Sequence, residues 1–516
     1  MSLPVDFLSE NQNELSIHCI FHFHLLYIVC VVTTVSEDTD NQSATRSSAY
    51  SLDASLGCIS IGIATASFIH MLSFPWWMST ITGQALLAAT LLLLFFPRSI
   101  LVLCLFLLSS LTFWFQRLPF VPNHIFFEML IHASMIGTVL AVCACNWKKR
   151  LPSVELRAAI YEQMRPVIMG SLIIMYLFTV LHKLNWDFLN PAVSCAVSMH
   201  KELAASVPII PSSEWTQWPT IIGTLLIELA IPIGLWWRTT RVATIILGLL
   251  FHWFLALHPH GGIYSFSHLL YALYAVFLFS SHDNPFQIWQ RIPKVGVLAA
   301  KLAAVFIFGL ACFLQIRAYQ TGGGFLTVNA IGFYAWLLFA LWLTATYAPM
   351  LLKAGWRSAP EPMVRPLRIL WIFPALVFFN GFCPYLSLKT TTAFSMFANI
   401  RTEGTGNNHL FMHRLKLFEY QDDLIEVLGS NDRQLQQYVK TKDLLTWFEL
   451  RRITSSRKRE NLFVKYKRSK DPEDILFKKK GAPKDAELLK PHPWYLSRFL
   501  VFRPIGRLNK PMPCRH

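Results

Sequence analysis

The sequence predicts an all-α polytopic membrane bundle, with eleven or twelve transmembrane helices, followed by a small soluble α+β domain. Composition is the first reason: of 516 residues, 54% are hydrophobic and 15% are charged, whereas a soluble chain carries about a quarter charged residues. The second reason is that apolar runs recur at close to the length of a spanning helix, about 20 residues. The third is a basic tail. Residues 389–516 hold 26 of the 46 Lys and Arg and 14 of the 30 Asp and Glu, and so carry +12 of the net charge of +16.

Eleven apolar runs predict the transmembrane helices. They lie near 57–77, 83–97, 99–116, 124–145, 166–184, 219–237, 242–257, 264–280, 296–316, 331–352 and 367–388. A twelfth run, 17–35, contains three histidines, so the sequence leaves open whether it spans. The residues before it are acidic, where a signal peptide would be basic. The predicted divisions are an N-terminal segment, 1–56, a membrane core, 57–290, further transmembrane helices, 291–388, and the basic tail, 389–516.

Loop charges predict the orientation of these helices. Successive loops between the predicted spans lie on alternate sides of the membrane. The loops on one side hold fifteen Lys and Arg, and those on the other side hold three: Arg117, Lys201 and Arg317. Because cytoplasmic loops collect Lys and Arg, the richer set is predicted to face the cytoplasm. The tail then begins on the opposite, non-cytoplasmic side, which we call lumenal.

The tail is predicted to fold as a small α+β unit. Alternating runs near 415–420, 423–428 and 461–467 predict strands, and 433–451 predicts a helix. Six prolines from residue 483 onwards predict extended surface chain. The tail contains no nucleic-acid-binding motif. Its basic charge is therefore interpreted as favouring contact with anionic lipid headgroups. The ten cysteines lie mostly in apolar stretches and are interpreted as small core residues, with no disulfide framework.

Polar side chains inside the predicted spans mark a candidate site, because ionisable groups are costly to bury in a membrane. In the predicted topology, Asn123 and His124 begin a helix on the lumenal side, and Lys183 ends another helix there. His252 lies near the lumenal end of a third helix, and His268 lies about one turn into a fourth. Four separate helices are therefore expected to bring Asn, His and Lys side chains to one membrane depth.

Each of these residues also has a plainer interpretation. A lysine at a helix end commonly snorkels to the headgroups, and a lone histidine at an interface is commonly a satisfied polar side chain. Glu228 is interpreted as a hydrogen-bonding partner of a neighbouring helix, because an unpaired buried carboxylate would take up a proton. No metal is expected, although His124, Glu128 and His132 share a helix face at a spacing that suits one as a weak alternative.

Four segments resemble proteins with an HTTM domain, a superfamily that includes the vitamin K-dependent γ-carboxylase. The segment 182–191 reads HKLNWDFLNP, followed by SCA, and resembles a Lys-Leu-acidic segment that closes a transmembrane helix of the carboxylase. PNH at 122–124 resembles its Asn-His pair. FHW at 251–253 and YSFS at 264–267 resemble its Phe-His and Phe-Ser segments. The matched region spans roughly 50–290.

The resemblance implies a membrane oxidoreductase or carboxylase-like enzyme that uses O2 and a reduced, lipid-soluble quinone of the vitamin K type. It implies Lys183 as the catalytic base, Asn123 and His252 as ligands of the quinol oxygens, and His124 as a group that orients the base or the substrate. SMFANIRTEG at 395–404 is similar to an extension of larger HTTM proteins.

Two departures and two other function classes limit this interpretation. The carboxylase has a second lysine where this chain has His182, and a large lumenal region where this chain has its tail, so a protein-glutamate substrate is not implied. The alternatives are a non-catalytic membrane scaffold or lipid- or partner-binding protein on the same fold, and a transporter. No inverted hydropathy symmetry supports the transporter.

The predicted orientation can be tested by glycosylation in a eukaryotic host. Asn41 begins the triplet Asn-Gln-Ser, and positive-inside counting places it in the cytoplasm, so it should stay unmodified. An acceptor engineered near Ser430 should be glycosylated, as judged by a mobility shift that an endoglycosidase removes. A glycan on Asn41 with none near Ser430 would invert the orientation.

Overall fold

The computed structural model describes residues 41–149, 151–278, 294–321, 325–354, 364–469, 471–483 and 485–515, and these are mostly helical. The long apolar helices are α1 (Asn41–Ser73), α2 (Ile81–Phe95), α3 (Ile100–Arg117), α4 (Asn123–Asn146), α5 (Ser153–Lys183), α8 (Glu214–Trp236), α9 (Arg241–Ala256), α10 (Gly261–Leu278), α11 (Lys294–Gln320), α12 (Phe325–Ala354) and α13 (Ile372–Phe382). Two short helices, α6 (Trp186–Leu189) and α7 (Cys195–Ser206), lie between α5 and α8.

The described helices identify a multi-pass integral membrane protein. Within the described ranges, eight helices are long and apolar enough to cross a membrane, and three apolar stretches are shorter: Ile81–Phe95, Asn329–Ala345 and Arg368–Phe382. Each of the eleven predicted runs falls on one of the long apolar helices. The twelfth run, 17–35, lies outside the described residues.

The first helix is the centre of the bundle. α1 packs against α5, α10 and α12, and every residue between Ser51 and Ser73 except Ile61 is buried. Its small residues allow this close packing, as is typical of membrane helix contacts. At Gly62, a Cβ would lie 3.0 Å from the Cβ of Ala272 on α10. A larger side chain there would push α10 away.

Contacts at the two ends of the bundle agree with the predicted alternation of loops. At one end, Arg498 of the tail donates to two backbone carbonyls in the last turn of α3 and to that of Leu118, just after the helix. At the other end, buried Asp53 of α1 binds Arg157 at 2.5 Å and lies 3.6 Å from Arg98. The tail therefore lies at the end that holds the few loop charges.

The tail contains a four-stranded antiparallel sheet. Its strands are β1 (Leu424–Ser430), β2 (Leu444–Thr446), β3 (Phe463–Arg468) and β4 (Asp471–Lys478), in the order β2-β1-β3-β4. Helices α14 (Arg433–Thr441) and α15 (Trp447–Ser456) pack Leu435, Leu450 and Ile453 against the sheet. The prediction of a mostly helical membrane chain with a small α+β unit in its tail is therefore confirmed.

Three predictions for the tail are wrong in detail. No strand forms at 415–420, and β4 was not predicted. The predicted helix 433–451 is two helices with β2 between them, because Lys442 has a left-handed backbone (φ 57°) that ends α14. Much of the chain from residue 483 is exposed, as predicted, but its last part also packs against the domain. Ile505 pairs with Leu444 through two backbone hydrogen bonds, and Met512 is buried.

A disulfide joins Cys195, the first residue of α7, to Cys514 near the end of the tail. The interpretation of all ten cysteines as core residues is therefore wrong for this pair. The sequence separation of 319 residues hides the pairing. The bond ties the end of the chain to the loop region between α5 and α8.

Peptide mapping of the non-reduced protein should recover Cys195 and Cys514 in one cross-linked pair. Cys514→Ser should lower the thermal midpoint of the purified protein, since removing a disulfide costs about 2–5 kcal/mol. Cys312→Ser is the matched control, because Cys312 is a free cysteine, and it should leave the midpoint nearly unchanged. Equal midpoints for the two variants would contradict a structural disulfide.

Candidate functional site

A cavity lies at the tail end of the bundle, between α4, α5, α7, α8, α9 and α10. It holds about 1220 Å³ of space between atoms, part of it open to the outside. Most of its wall is Phe, Met, Leu and Ile. Ligand pockets are commonly apolar in this way, with a few polar groups that fix orientation.

The four residues predicted as catalytic or quinol-binding all line this cavity: Asn123, His124, Lys183 and His252. These residues meet because they lie at the same depth in the membrane. α4 begins, α5 ends and α9 ends at the same end of the bundle, so their polar end residues meet. The catalytic roles of these residues stay a prediction. His268 is not part of the wall; it is buried, and its Nε2 lies 3.0 Å from Thr65 Oγ1 of α1.

Lys183 is paired inside the cavity and does not snorkel. Its Nζ donates to Glu228 Oε2 of α8 at 2.5 Å, and the two side chains are only 7% and 13% exposed. The expected hydrogen bond from Glu228 to a neighbouring helix is thus present, and its partner is the candidate base. Two opposite charges in contact satisfy each other in the apolar surroundings.

His252 is held by hydroxyl groups. Its Nε2 lies 2.7 Å from Tyr176 Oη, and its Nδ1 lies 3.5 Å from Ser267 Oγ. Tyr176 Oη is also 2.6 Å from Tyr274 Oη. Tyr176 lines the cavity beside His252, so the two tyrosines and the histidine form one hydrogen-bonded chain. Nothing in the sequence distinguishes Tyr176, because a tyrosine in an apolar helix is ordinary.

His124 has one nitrogen satisfied and one without a partner. Its Nε2 lies 3.1 Å from Ser265 Oγ on α10. Its Nδ1 is buried and makes no hydrogen bond to any described residue. Ser265 belongs to the YSFS segment, which is therefore a neighbour of the Asn-His pair in space. An unpaired buried nitrogen beside a cavity is a natural contact for a ligand hydroxyl.

The roof of the cavity is an irregular segment of the tail, residues 383–412, which we call the strap. Phe394, Met396 and Phe397 of the strap line the cavity. Five of its non-glycine residues have a left-handed backbone: Ser387, Thr392, Phe394, Phe397 and Asn399. Such residues are uncommon, cost about 1–3 kcal/mol each and cluster at ligand clamps. A sequence does not reveal left-handed phenylalanines, so this feature was missed.

Asparagine side chains hold the strap in place. Asn123 Oδ1 accepts the backbone N–H of Phe394 at 2.7 Å. Asn185 Nδ2 donates to Ala398 O at 2.6 Å, and Asn399 Oδ1 accepts the N–H of Cys195 at 2.7 Å. The predicted ligand role of Asn123 is therefore restricted to its amide nitrogen, since its carbonyl oxygen holds the roof.

A buried lysine in the strap lies close to the cavity. Lys389 Nζ donates to Thr392 Oγ1 at 3.2 Å and lies 4.1 Å from the ring centroid of Phe126, the neighbour of a cavity residue. Burial lowers the pKa of Lys389 to about 8. The strap therefore contains an amine whose charge is costly to keep.

The metal alternative does not fit this arrangement. Glu128 Oε2 lies 2.8 Å from His70 Nδ1, and His132 Nδ1 lies 3.0 Å from Ser110 Oγ. Neither Glu128 nor His132 belongs to the cavity wall with His124. Within the described ranges, no three His, Cys, Asp or Glu side chains are placed to hold a metal ion.

No family model matches this chain, and searches of curated proteins and of solved structures find no similar protein. The resemblance to HTTM proteins therefore rests on the segments quoted above, and the function is argued from the site.

The Lys183–Glu228 pair makes a prediction for stability. Glu228→Ala leaves a buried lysine without a partner and should destabilise the protein by about 3–5 kcal/mol. The double variant Lys183→Met, Glu228→Met removes both charges and should recover most of this loss. Thermal unfolding of the detergent-solubilised protein, followed by tryptophan fluorescence, measures both.

The matched control is Glu214→Ala, because Glu214 is an exposed glutamate in the first turn of the same helix. Its effect should stay within about 1 kcal/mol, the size of a helix-dipole contact. If Glu228→Ala behaves like Glu214→Ala, the pair contributes nothing to stability.

Proposed function

We propose that this chain is an HTTM-like membrane enzyme that binds a lipid-soluble quinol in the cavity and uses Lys183 as the proton acceptor. The observation that carries the proposal is the Lys183–Glu228 pair on a mainly apolar cavity wall. Intramembrane charges are rare and usually functional. A pair that only joined two helices would not need to border an open cavity.

The wall suits a reduced quinone. Aromatic and aliphatic side chains match its ring and isoprenoid tail, and the few polar groups match its two hydroxyls. His124 Nδ1 is buried without a partner among the described residues, and a quinol hydroxyl would supply the missing hydrogen bond. His252 and the amide nitrogen of Asn123 are the candidates for the second oxygen. When bound, the quinol supplies the electrons for O2 and, through its oxidation, a strong base.

Glu228 solves the problem of a charged base. An ammonium group cannot accept a proton, and pairing with a carboxylate favours that charged form. Across the 2.5 Å contact, the proton can pass from Lys183 Nζ to Glu228 Oε2, which leaves an amine and a carboxylic acid. The amine lone pair then accepts a proton from a ligand hydroxyl, and Lys183 becomes ammonium again. Burial favours the first transfer, because it removes two charges, and the contact distance assists both.

The second candidate is a non-catalytic lipid-binding protein on the same fold. A specific observation favours it: the ammonium group of Lys183 already has a partner in Glu228. An ion pair of this kind can have a purely structural role, which is to join α5 to α8. The same apolar cavity would then hold an acyl or isoprenoid chain without chemistry. Both candidates place the ligand in the same cavity, so binding alone does not separate them.

The proposed topology follows the loop charges. Eleven helices span the membrane, the end with Asp53, Arg98 and Arg157 faces the cytoplasm, and the tail lies on the lumenal side. The cavity then opens close to the lumenal surface, below the strap. A quinol would enter from the bilayer, and a water-soluble product or co-substrate would exchange on the lumenal side.

Lys183→Arg separates a base from a structural cation. Arginine keeps the charge and can pair with Glu228, but a guanidinium group does not lose its proton in proteins. Anaerobic quinol-binding titrations and O2-dependent quinol oxidation are followed by absorbance in nanodiscs. Binding should persist, while the oxidation rate should fall by about 10²–10⁴-fold, the usual loss for an acid–base group.

Lys201→Arg is the matched control, because Lys201 is an exposed lysine of α7, the helix next to the cavity. It should oxidise quinol at the wild-type rate. Wild-type oxidation by Lys183→Arg would remove the base from the proposal. Binding without any oxidation in the wild type would establish the lipid-binding candidate instead.

A further inference from the structure

A second polar cluster lies beside the cavity, and the proposed reaction does not use it. Its central residues are Glu128 of α4 and His70 of α1, both with no exposed surface. Ser67 of α1 and Ser265 of α10 also belong to the cluster, and His132 of α4 lies with its Nε2 3.6 Å from Glu128 Oε1. Burying a carboxyl group at this depth costs free energy, so a role for Glu128 is expected.

The hydrogen bonds of His70 show that its Nε2 carries a proton. His70 Nε2 is 3.1 Å from the backbone carbonyl oxygen of Ser265, which can only accept, so Nε2 carries a proton. His70 Nδ1 is 2.8 Å from Glu128 Oε2, and Ser67 Oγ donates to Glu128 Oε1 at 2.5 Å. A carboxylate that accepts from both sides satisfies all these contacts if Nδ1 is protonated too. A neutral pair, in which the Glu128 carboxyl group donates to Nδ1, satisfies them equally, so Nδ1 and Oε2 share one proton.

Ser265 connects this pair to the cavity. Its carbonyl accepts from His70, and its hydroxyl donates to Gly262 O at 3.2 Å. A hydroxyl has one proton, so Ser265 Oγ must accept from His124 Nε2, 3.1 Å away. His124 therefore carries its proton on Nε2, and Nδ1 keeps a free lone pair. The rings of His70 and His124 are 5.0 Å apart between centroids.

We propose that Glu128 and His70 form a positioning pair which, through Ser265, holds His124 with Nδ1 as the acceptor for a ligand hydroxyl. The pair itself touches no ligand. Its effect is to fix the backbone at Ser265 and, with it, the tautomer and the orientation of His124. The inference rests on the proposed function only in taking His124 as a group that contacts a hydroxyl-bearing ligand.

Nitrogen NMR of ¹⁵N-histidine protein in nanodiscs tests the pair without any ligand. Near neutral pH, the wild type should show an imidazole with a protonated Nε2 and an Nδ1 that shares a proton with a carboxyl oxygen, and this signal should be absent from both Glu128→Gln and His70→Gln. Glutamine keeps the size and hydrogen-bonding reach of glutamate but carries no charge. His268→Gln is the matched control, because His268 of α10 is also fully buried against α1 but contacts a hydroxyl, Thr65 Oγ1, instead of a carboxylate. It should leave that signal in place.

Ligand binding tests the positioning. Under anaerobic conditions, Glu128→Gln should weaken the binding of a naphthohydroquinone by about tenfold, the value of one good hydrogen bond. The dimethyl ether of the same compound has no hydroxyl proton and should bind both proteins alike. A wild type without the imidazole that shares this proton, or equal losses for both compounds, would overturn the inference. A wild type that binds neither compound refutes the proposed function, and the NMR comparison then decides the pair separately.

Discussion

The contact between Lys183 and Glu228 is the interaction on which the proposed site depends. An apolar cavity within a membrane bundle lowers the dielectric around any charge, so each group there needs a partner at hydrogen-bond distance. The partner is provided across two helices, α5 and α8, at 2.5 Å. This placement keeps the lysine in the cavity rather than at the headgroups. It also gives the amine a nearby group that can take its proton, which a lone lysine would lack.

The strap depends on the segment that contains this lysine. Residues 182–191 include Asn185, which binds the strap backbone at Ala398, and Asp187, which accepts from Asn408 and from the N–H of Met512. The same short segment therefore presents Lys183 to the cavity and holds the roof above it. Its polar residues have two separate purposes, and a motif that looks like one catalytic unit is partly a docking site for the tail.

Hydropathy and loop charge predicted the helices and the convergence of His124, Lys183 and His252, because both depend on position along the membrane normal. They could not predict which helix faces meet. Glu228 lies near the middle of α8, and nothing in the sequence relates it to Lys183, 45 residues earlier. The strap was beyond prediction for another reason. Five of its left-handed residues are not glycines, so local preference does not explain them, and contacts from distant elements must hold the backbone.

The positions of these contacts suggest why the tail belongs to the site and not only to the surface. The strap supplies Phe394 and Phe397 to the cavity wall, and its backbone is bonded to Asn123. Its far side is tied through Asn399 to Met512, two residues from the disulfide at Cys514. Membrane helices alone would leave the cavity open at this end. Because water competes for every hydrogen bond within the cavity, the tail strengthens the polar contacts below it by closing the roof.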